Sequence, residues 1–122
     1  MHHVTLERTR HASHRGAQRT IPDCVLARIE RGDATDVPGR HPHHPRVTLR
    51  IVRTADGYWV APHANGSVLT VYEVEAERLE DWGWRHLHHP EQQLGRLRRL
   101  SVHHTPEQAV TADLYRLWVV EA

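Results

Sequence analysis

Two short turns constrain the fold of this chain more than any other sequence feature. Asp56-Gly57 and Asn65-Gly66 each interrupt a run that is rich in β-branched and aromatic residues. Such dipeptides favour the positive backbone torsions of two-residue hairpin loops, so they predict an antiparallel meander of three strands. The predicted strands are residues 47–54, 58–63 and 67–74.

The turns also predict which side chains share a face, because a two-residue loop sets the register of its flanking strands. They place His63 opposite both Arg50 and Val68, and Trp59 opposite Tyr72. A slip of one residue would exchange the two faces. One face is apolar and is the expected core, with Leu49, Ile51, Val60, Leu69 and Val71. The other face is mixed and polar, with Arg50, Thr54, Trp59, His63, Thr70 and Tyr72.

Helix signals precede the predicted meander. Thr9 is a suitable N-cap for a short helix that runs to about Gln18. A second helix begins at Pro22, carries Val25, Leu26 and Ile29 at helical spacing, and ends at Gly32. A short edge strand is expected at residues 4–6. Residues 36–46 hold four Pro or Gly and are expected to form a loop.

The C-terminal residues 75–122 are predicted to be helical. An acidic segment comes first, and Pro90 and Pro106 each stand at the first position of a further helix. Thr105 and Gln108 match a capping box. An apolar stripe at helical spacing follows, with Val110, Leu114, Leu117 and Trp118, so the last helix is expected to pack on the core.

The predicted fold class is α+β, with two N-terminal helices packed on a three- to four-stranded antiparallel sheet and additional C-terminal helices. The 122 residues are expected to form a single domain, with a core at 4–74 and a helical extension at 75–122. One cysteine, Cys24, excludes an intramolecular disulfide. No apolar run is long enough to cross a membrane, so a cytoplasmic protein with no membrane partner is expected.

Charge is unevenly distributed, although the formal net charge is only +1. Residues 1–54 carry ten Arg and five acidic side chains, whereas residues 55–122 carry six Arg and ten acidic side chains. The chain has no Lys. Arg binds phosphate through a bidentate fork, so the basic N-terminal half favours a polyanionic partner such as RNA. Scattered surface charge, encoded by a GC-rich genome that avoids Lys codons, explains the same composition.

The stretch Arg10–Arg15, RHASHR, would place two His and one Arg on one side of a helix. Metal-independent RNA cleavage needs a base, an acid and a cation near the phosphate, and these residue types supply them. The candidate catalytic residues are His11, His14, Arg15, His63 and Tyr72. The candidate RNA-binding residues are Arg19, Arg50, Arg53, Thr70 and Trp59, the last by stacking an unpaired base.

Each candidate also has a structural explanation. The His11 ring can bond a backbone carbonyl, and Trp59 and Tyr72 can pack under the C-terminal helices. The histidine clusters at 41–44 and 86–89 offer imidazoles to zinc or nickel, but their spacing matches no recognised motif such as HExxH. Neither a metal nor another cofactor is therefore expected.

Four short motifs follow one another within residues 4–74. They are HASHR (His11–Arg15), RTIPD (Arg19–Asp23), Val25-Leu26 and LTVYE (Leu69–Glu73). Their order resembles a family of small domains related to RelE- and BrnT-type toxins, in the barnase–EndoU–colicin–RelE group of ribonuclease folds. Thr20 departs from the pattern, which usually has Gly there. The resemblance implies a helix-on-sheet fold with ribonuclease activity, and it selects His11 and Arg15 as motif positions.

Three functions follow as expectations. The first is a toxin-like, metal-independent endoribonuclease that cleaves mRNA or tRNA. The second is a non-catalytic binding module with a RelE-like fold that binds nucleic acid or a protein partner, such as a cognate antitoxin or immunity protein. In the third, the helical tail self-associates and the protein has a structural role. The sequence leaves the oligomeric state open.

Overall fold

The computed structural model describes residues 2–5, 18–104, 109–113 and 118–121. Within these ranges the three α-helices are α1 (Asp23–Arg31), α2 (Leu79–His86) and α3 (Pro90–Arg98), and a 3-10 turn at Ala76–Arg78 precedes α2. The strands are β1 (His2–Thr5), β2 (Gln18–Pro22), β3 (Thr35–Pro38), β4 (Thr48–Arg53), β5 (Gly57–Ala64), β6 (Ser67–Val68), β7 (Tyr72–Glu75), β8 (Ala109–Asp113) and β9 (Trp118–Glu121).

The main sheet is antiparallel, and the predicted α+β class is confirmed. Its order is β3-β4-β5, with β6 and β7 both paired to the far side of β5. β6 pairs with the end of β5 and β7 with its beginning. Two smaller antiparallel pairs, β1 with β9 and β2 with β8, join segments from the two termini of the chain.

The first hairpin is displaced from its predicted register by two residues. Arg50 pairs with Ala61, and not with His63 as the sequence predicted. The two loop residues are Ala55 and Asp56, one position before the predicted Asp56-Gly57. Thr54 and Gly57, on either side of them, exchange backbone hydrogen bonds of 2.7 and 3.3 Å. Gly57 begins β5, where a Cβ would collide with the Val74 carbonyl oxygen. A two-residue shift preserves the alternation, so the β4 and β5 side chains keep their predicted faces.

The second turn is confirmed, but the strand after it changes register. Asn65 and Gly66 have φ angles of 54° and 81°, as a type I′ turn requires, and His63 pairs with Val68. Between Val68 and Tyr72 the chain has one residue more than the segment of β5 that lies opposite it, so Tyr72 pairs with Val60. The predicted pairing of Tyr72 with Trp59 is therefore wrong. Such a bulge turns the following side chains to the opposite face.

Both faces of the main sheet are covered. On one face α2 and α3 enclose an apolar cluster that includes Leu49, Ile51, Val60, Leu69, Val74, Trp82, Leu87, Leu94 and Leu97. On the other face α1 packs against a second cluster, with Ile21, Val25, Ile29, Val52, Ala61, Val68 and Val71. Val71 lies in this second cluster because of the bulge, and not beside Leu69 as predicted. The face predicted to be mixed and polar is therefore largely buried.

The terminal segments differ most from the prediction. The proposed first helix at 9–18 lies outside the described residues as far as residue 17, and Gln18 begins β2. Strands therefore precede α1, so the arrangement of two N-terminal helices on the sheet is wrong. The helix predicted after Thr105 is also wrong, because β8 and β9 lie there and pair with β2 and β1. Residues 75–122 are thus only partly helical, and backbone pairing crosses the expected boundary at residue 74.

The helices in the described ranges are short. The longest, α1 and α3, have nine residues each. None of the described helices is both long and apolar enough to cross a membrane.

Candidate functional site

Arg50 is a buried ion-pair residue. Its side chain leaves β4 on the face covered by α1, and the residue is 2 % exposed. Its Nε and Nη2 donate to the two carboxylate oxygens of Asp36 at 2.9 and 3.0 Å, and its Nη1 donates to the Ile29 carbonyl at 3.0 Å. The guanidinium thus ties β3 and the end of α1 to β4, and it is not placed to bind RNA.

His63 lies beside this ion pair. Its Nε2 is 3.8 Å from Asp36 Oδ1, which is too long for a hydrogen bond, and this buried atom has no hydrogen-bond partner among the described residues. Burial raises the pKa of Asp36, but the interactions with His63 and Arg50 outweigh that effect and hold the pKa at about 2. Asp36 is therefore ionised at neutral pH.

Asp36 was missed by the sequence analysis. Arg50 and His63 do come together, as predicted, but the carboxylate between them lies in β3, where a loop was expected. The available signal was an Arg within an otherwise apolar strand, because a buried Arg needs a carboxylate on a neighbouring element.

The remaining candidates on the polar face are divided between different environments. The Tyr72 hydroxyl oxygen accepts a hydrogen bond from Trp82 Nε1 at 2.9 Å, on the face opposite Arg50 and His63. Burial raises the pKa of Tyr72, although the bond from Trp82 acts against this. Trp59 packs against the cluster under α1, and Thr70 is half-buried beside the bulge.

Other candidates lie near or beyond the limits of the described chain. His11, His14 and Arg15 lie outside the described residues. Arg19 pairs with Ala112 between β2 and β8, and its side chain is not described. At the other end of β4, Arg53 Nη1 donates to the carbonyls of Arg98 and Leu100 at 2.6 and 3.1 Å. Arg53 therefore binds the C-terminal end of α3, although it also borders an open cleft of about 280 Å³.

A different basic surface forms where two histidine-rich segments meet. Arg40 N donates to the His86 carbonyl at 2.8 Å, and His88 N donates to the Pro38 carbonyl at 3.3 Å. Gly39 also forms an antiparallel bridge with Leu87. We call this region the Arg/His surface; its members are Arg40, His41, His43, His44, Arg46, Arg85, His86, His88 and His89.

Within each segment of the Arg/His surface the imidazole rings are close together. The His41 and His44 centroids are 4.8 Å apart, and those of His88 and His89 are 4.5 Å apart. In the described part of the chain no group of three or more His, Cys, Asp or Glu is placed to hold one metal ion. Burial, followed by the nearby charge of Arg85, lowers the pKa of His86. His86 therefore gains a proton less readily than an ordinary histidine.

The Arg/His surface is rich in cations. Neither residues 37–46 nor residues 82–90 contain Asp or Glu. Arg40 and Arg46 are exposed, and within the described ranges neither side chain makes an ion pair or a hydrogen bond. Arg85 is engaged, because its Nη2 lies 3.2 Å from Asp81 Oδ2. The exposed acid Glu91 lies at the border of the surface, in the first turn of α3.

An exposed aromatic ring lies within the same part of the chain. Trp84 precedes Arg85 in α2 and is 53 % exposed, which is unusual for so large an apolar side chain. The sequence analysis did not select this residue.

Comparisons with known proteins give no match. No protein-family model matches the chain, and no curated protein or solved structure is significantly similar to it. The resemblance to RelE- and BrnT-type toxins therefore stays a prediction that rests on the four short motifs.

Proposed function

We propose that this chain is a non-catalytic binding module for single-stranded RNA and that the Arg/His surface is its contact site. The observation that carries the proposal is the backbone pairing of residues 38–40 with residues 86–88, which joins two cationic segments without an acidic residue in either. Within the described ranges the guanidinium groups of Arg40 and Arg46 make no ion pair or hydrogen bond, which leaves them to bind phosphate oxygens, and such charge-assisted contacts are strong and bidentate.

The mixture of groups on this surface favours single-stranded RNA. Single-strand binders combine cations that follow the backbone with aromatic rings that stack on bases, each stacked base contributing about 1–3 kcal/mol. Trp84 is the exposed ring and Arg40 and Arg46 are the cations. The histidine rings add hydrogen-bond donors.

A binding role agrees better with the described residues than a catalytic one. A general base must come within hydrogen-bond reach of the 2′-hydroxyl proton, and the acid must reach the leaving oxygen. His63 Nε2 is buried, and Tyr72 lies on the other face of the sheet. These two candidates cannot contact one RNA phosphate together in this conformation.

The toxin-like ribonuclease remains a second candidate because of one local arrangement. The carboxylate of Asp36 faces the His63 imidazole, and a carboxylate beside a histidine is a common way to orient a general base. Arg50 supplies a cation next to the pair. His63 Nε2 is buried, so this function requires a local opening that exposes the atom to substrate.

The binding proposal is tested by the fluorescence anisotropy of a labelled ten-nucleotide oligo(U). The double variant R40Q/R46Q should bind at least about tenfold more weakly, and the slope of log K against log salt should fall by about 1.4, since each single-strand phosphate contact contributes about 0.7. The matched control is R98Q/R99Q, which removes the same charge at the far end of α3. Equal losses in both variants, or no binding by the wild type, would refute the proposal.

A cleavage assay distinguishes the two candidates. The same oligo(U) and a folded tRNA are incubated with the protein and EDTA and then resolved on a denaturing gel. The binding module leaves both RNAs intact. Cleavage by the wild type that is lost in His63→Asn, with RNA binding retained, would establish the ribonuclease function instead.

A further inference from the structure

Strand β7 forms one edge of the main sheet. It pairs with β5 along one side, and within the ranges that the structure describes no strand pairs with its other side. The opposite edge differs, because Gly39 beyond β3 bridges to Leu87, and the Pro38 carbonyl accepts bonds from the α2–α3 region. Among the described residues, the outward backbone groups of β7 therefore have no strand partner over about 13 Å, the length of four strand residues.

An open cleft of about 360 Å³ lies beside this edge, between β7 and α2. The Trp82 ring lines it and stacks on His86, with centroids 5.6 Å apart. Trp82 Nε1 donates to the Tyr72 hydroxyl oxygen, so the hydroxyl proton of Tyr72 stays available, with no acceptor in the described part of the chain. The cleft thus combines the Trp82 ring with hydrogen-bond donors from Tyr72, Arg78 and Arg85.

The same edge is acidic. Glu73 and Glu75 are exposed and, two residues apart on a strand, lie on one face. Residues 73–81 contain five acidic side chains and one Arg. The Nε of this Arg78 lies 3.6 Å from Glu75 Oε2, whereas Glu73 has no ion-pair partner among the described residues. The edge is therefore complementary to a cationic strand.

We propose that β7 and this cleft bind an extended segment of a partner protein that carries basic residues at alternate positions. The segment adds to the sheet as a further strand through backbone hydrogen bonds. Its basic side chains lie opposite Glu73 and Glu75, and its intervening apolar side chain lies on the face of Trp82. The cleft shares Arg85 and His86 with the Arg/His surface, whereas the β7 edge belongs to this site alone. The peptide contacts need no RNA, so the inference does not depend on RNA binding.

A second copy of the chain does not fit the same edge. Antiparallel pairing of two β7 strands about Val74 would place Glu73 of one copy opposite Glu75 of the other. Like charges directly opposite each other destabilise a strand pair. The charge of the edge therefore selects a basic partner over self-association.

The test measures the anisotropy of a fluorescein-labelled peptide, acetyl-Val-Arg-Val-Arg-Val-amide, as the full chain is added. We expect micromolar binding that the double variant E73Q/E75Q weakens by at least about fivefold. The matched control E77Q/E80Q removes the same charge outside β7 and should change the affinity by less than about twofold. A peptide with Glu in place of Arg should not bind.

A peptide methylated on its central backbone nitrogens separates strand addition from general charge attraction, because it keeps its charge but cannot donate to β7. Loss of its binding supports the proposal. Undiminished binding of the methylated peptide, or equal losses in the two double variants, would overturn it. Sedimentation velocity gives the last check. If the wild type forms dimers and Val74→Pro is monomeric, a second copy of the chain binds the β7 edge, and this result would also overturn the proposal.

Discussion

Replacing Asp36 with Ala should destabilise the fold more than replacing the whole Asp36–Arg50 pair. Arg50 is 2 % exposed, and its guanidinium donates to both carboxylate oxygens of Asp36. Removing one partner of a buried ion pair costs about 3–5 kcal/mol, whereas an apolar replacement of the pair is often neutral. The Asp36 side chain is 43 % exposed, so water can partly hydrate the guanidinium and D36A should cost about 2–3 kcal/mol.

The lowered pKa of Asp36 gives a second, independent value for the free energy that its carboxylate contributes to folding. The difference between its ordinary value of 3.8 and about 2 corresponds to about 2 kcal/mol, and solvent screening at a 43 % exposed side chain reduces this to about 1 kcal/mol. Because the folded-state pKa is lowered, this stabilisation is complete above the ordinary value and is lost as the pH falls from about 4 to about 2. Asp36→Asn should therefore cost about 1 kcal/mol at pH 7 and clearly less at pH 2.

Urea denaturation of D36A, D36N, R50M and D36A/R50M measures these free energies of unfolding. The double variant should be more stable than D36A by at least about 1 kcal/mol. Two results would refute the reasoning: a double variant that is less stable than D36A, or a D36N variant that matches the wild type at pH 7.

Three further predictions concern other parts of the molecule. H88N/H89N should weaken oligo(U) binding, because it removes two imidazole rings from the Arg/His surface, whereas H103N/H104N, at the other end of the sheet, should leave it unchanged; fluorescence anisotropy measures both affinities, and equal losses would contradict the placement of the contact site. Gly57→Ala should cost about 2 kcal/mol or more in thermal unfolding, because its Cβ would meet the Val74 carbonyl; an unchanged Tm would contradict the close approach of β5 and β7. Tyr72→Phe should cost about 1–2 kcal/mol by leaving Trp82 Nε1 without its acceptor, and equal stability in urea would argue against that bond.

The features set by local sequence were predicted best. Asn65 and Gly66 both adopt positive φ, so the turn and the pairing of His63 with Val68 follow from the dipeptide alone. Helix α1 likewise begins at Asp23 after Pro22 and ends at Gly32, which has a φ of 73°. Asp56-Gly57 misled the register because Gly57 serves a close backbone approach to β7 and not a turn with positive torsions.

The features set by distant contacts could not be predicted. The bulge after Leu69 is invisible in an alternating pattern, yet it moves Tyr72 away from Arg50 and His63. The apolar stripe from Val110 matches helical spacing, but pairing of β8 and β9 with the N-terminal strands determines the structure there. The Arg/His surface was equally hidden, because its two segments are about forty residues apart in sequence and meet only through backbone hydrogen bonds.

An NMR titration of the isotopically labelled chain with oligo(U) tests the RNA-binding proposal most directly, because it locates the contact surface without any substitution. The account predicts that the largest amide shift changes fall in residues 39–46 and 84–89, with the indole N–H of Trp84 among them. Changes concentrated around His63 and Asp36, or no changes at a saturating RNA concentration, would contradict it.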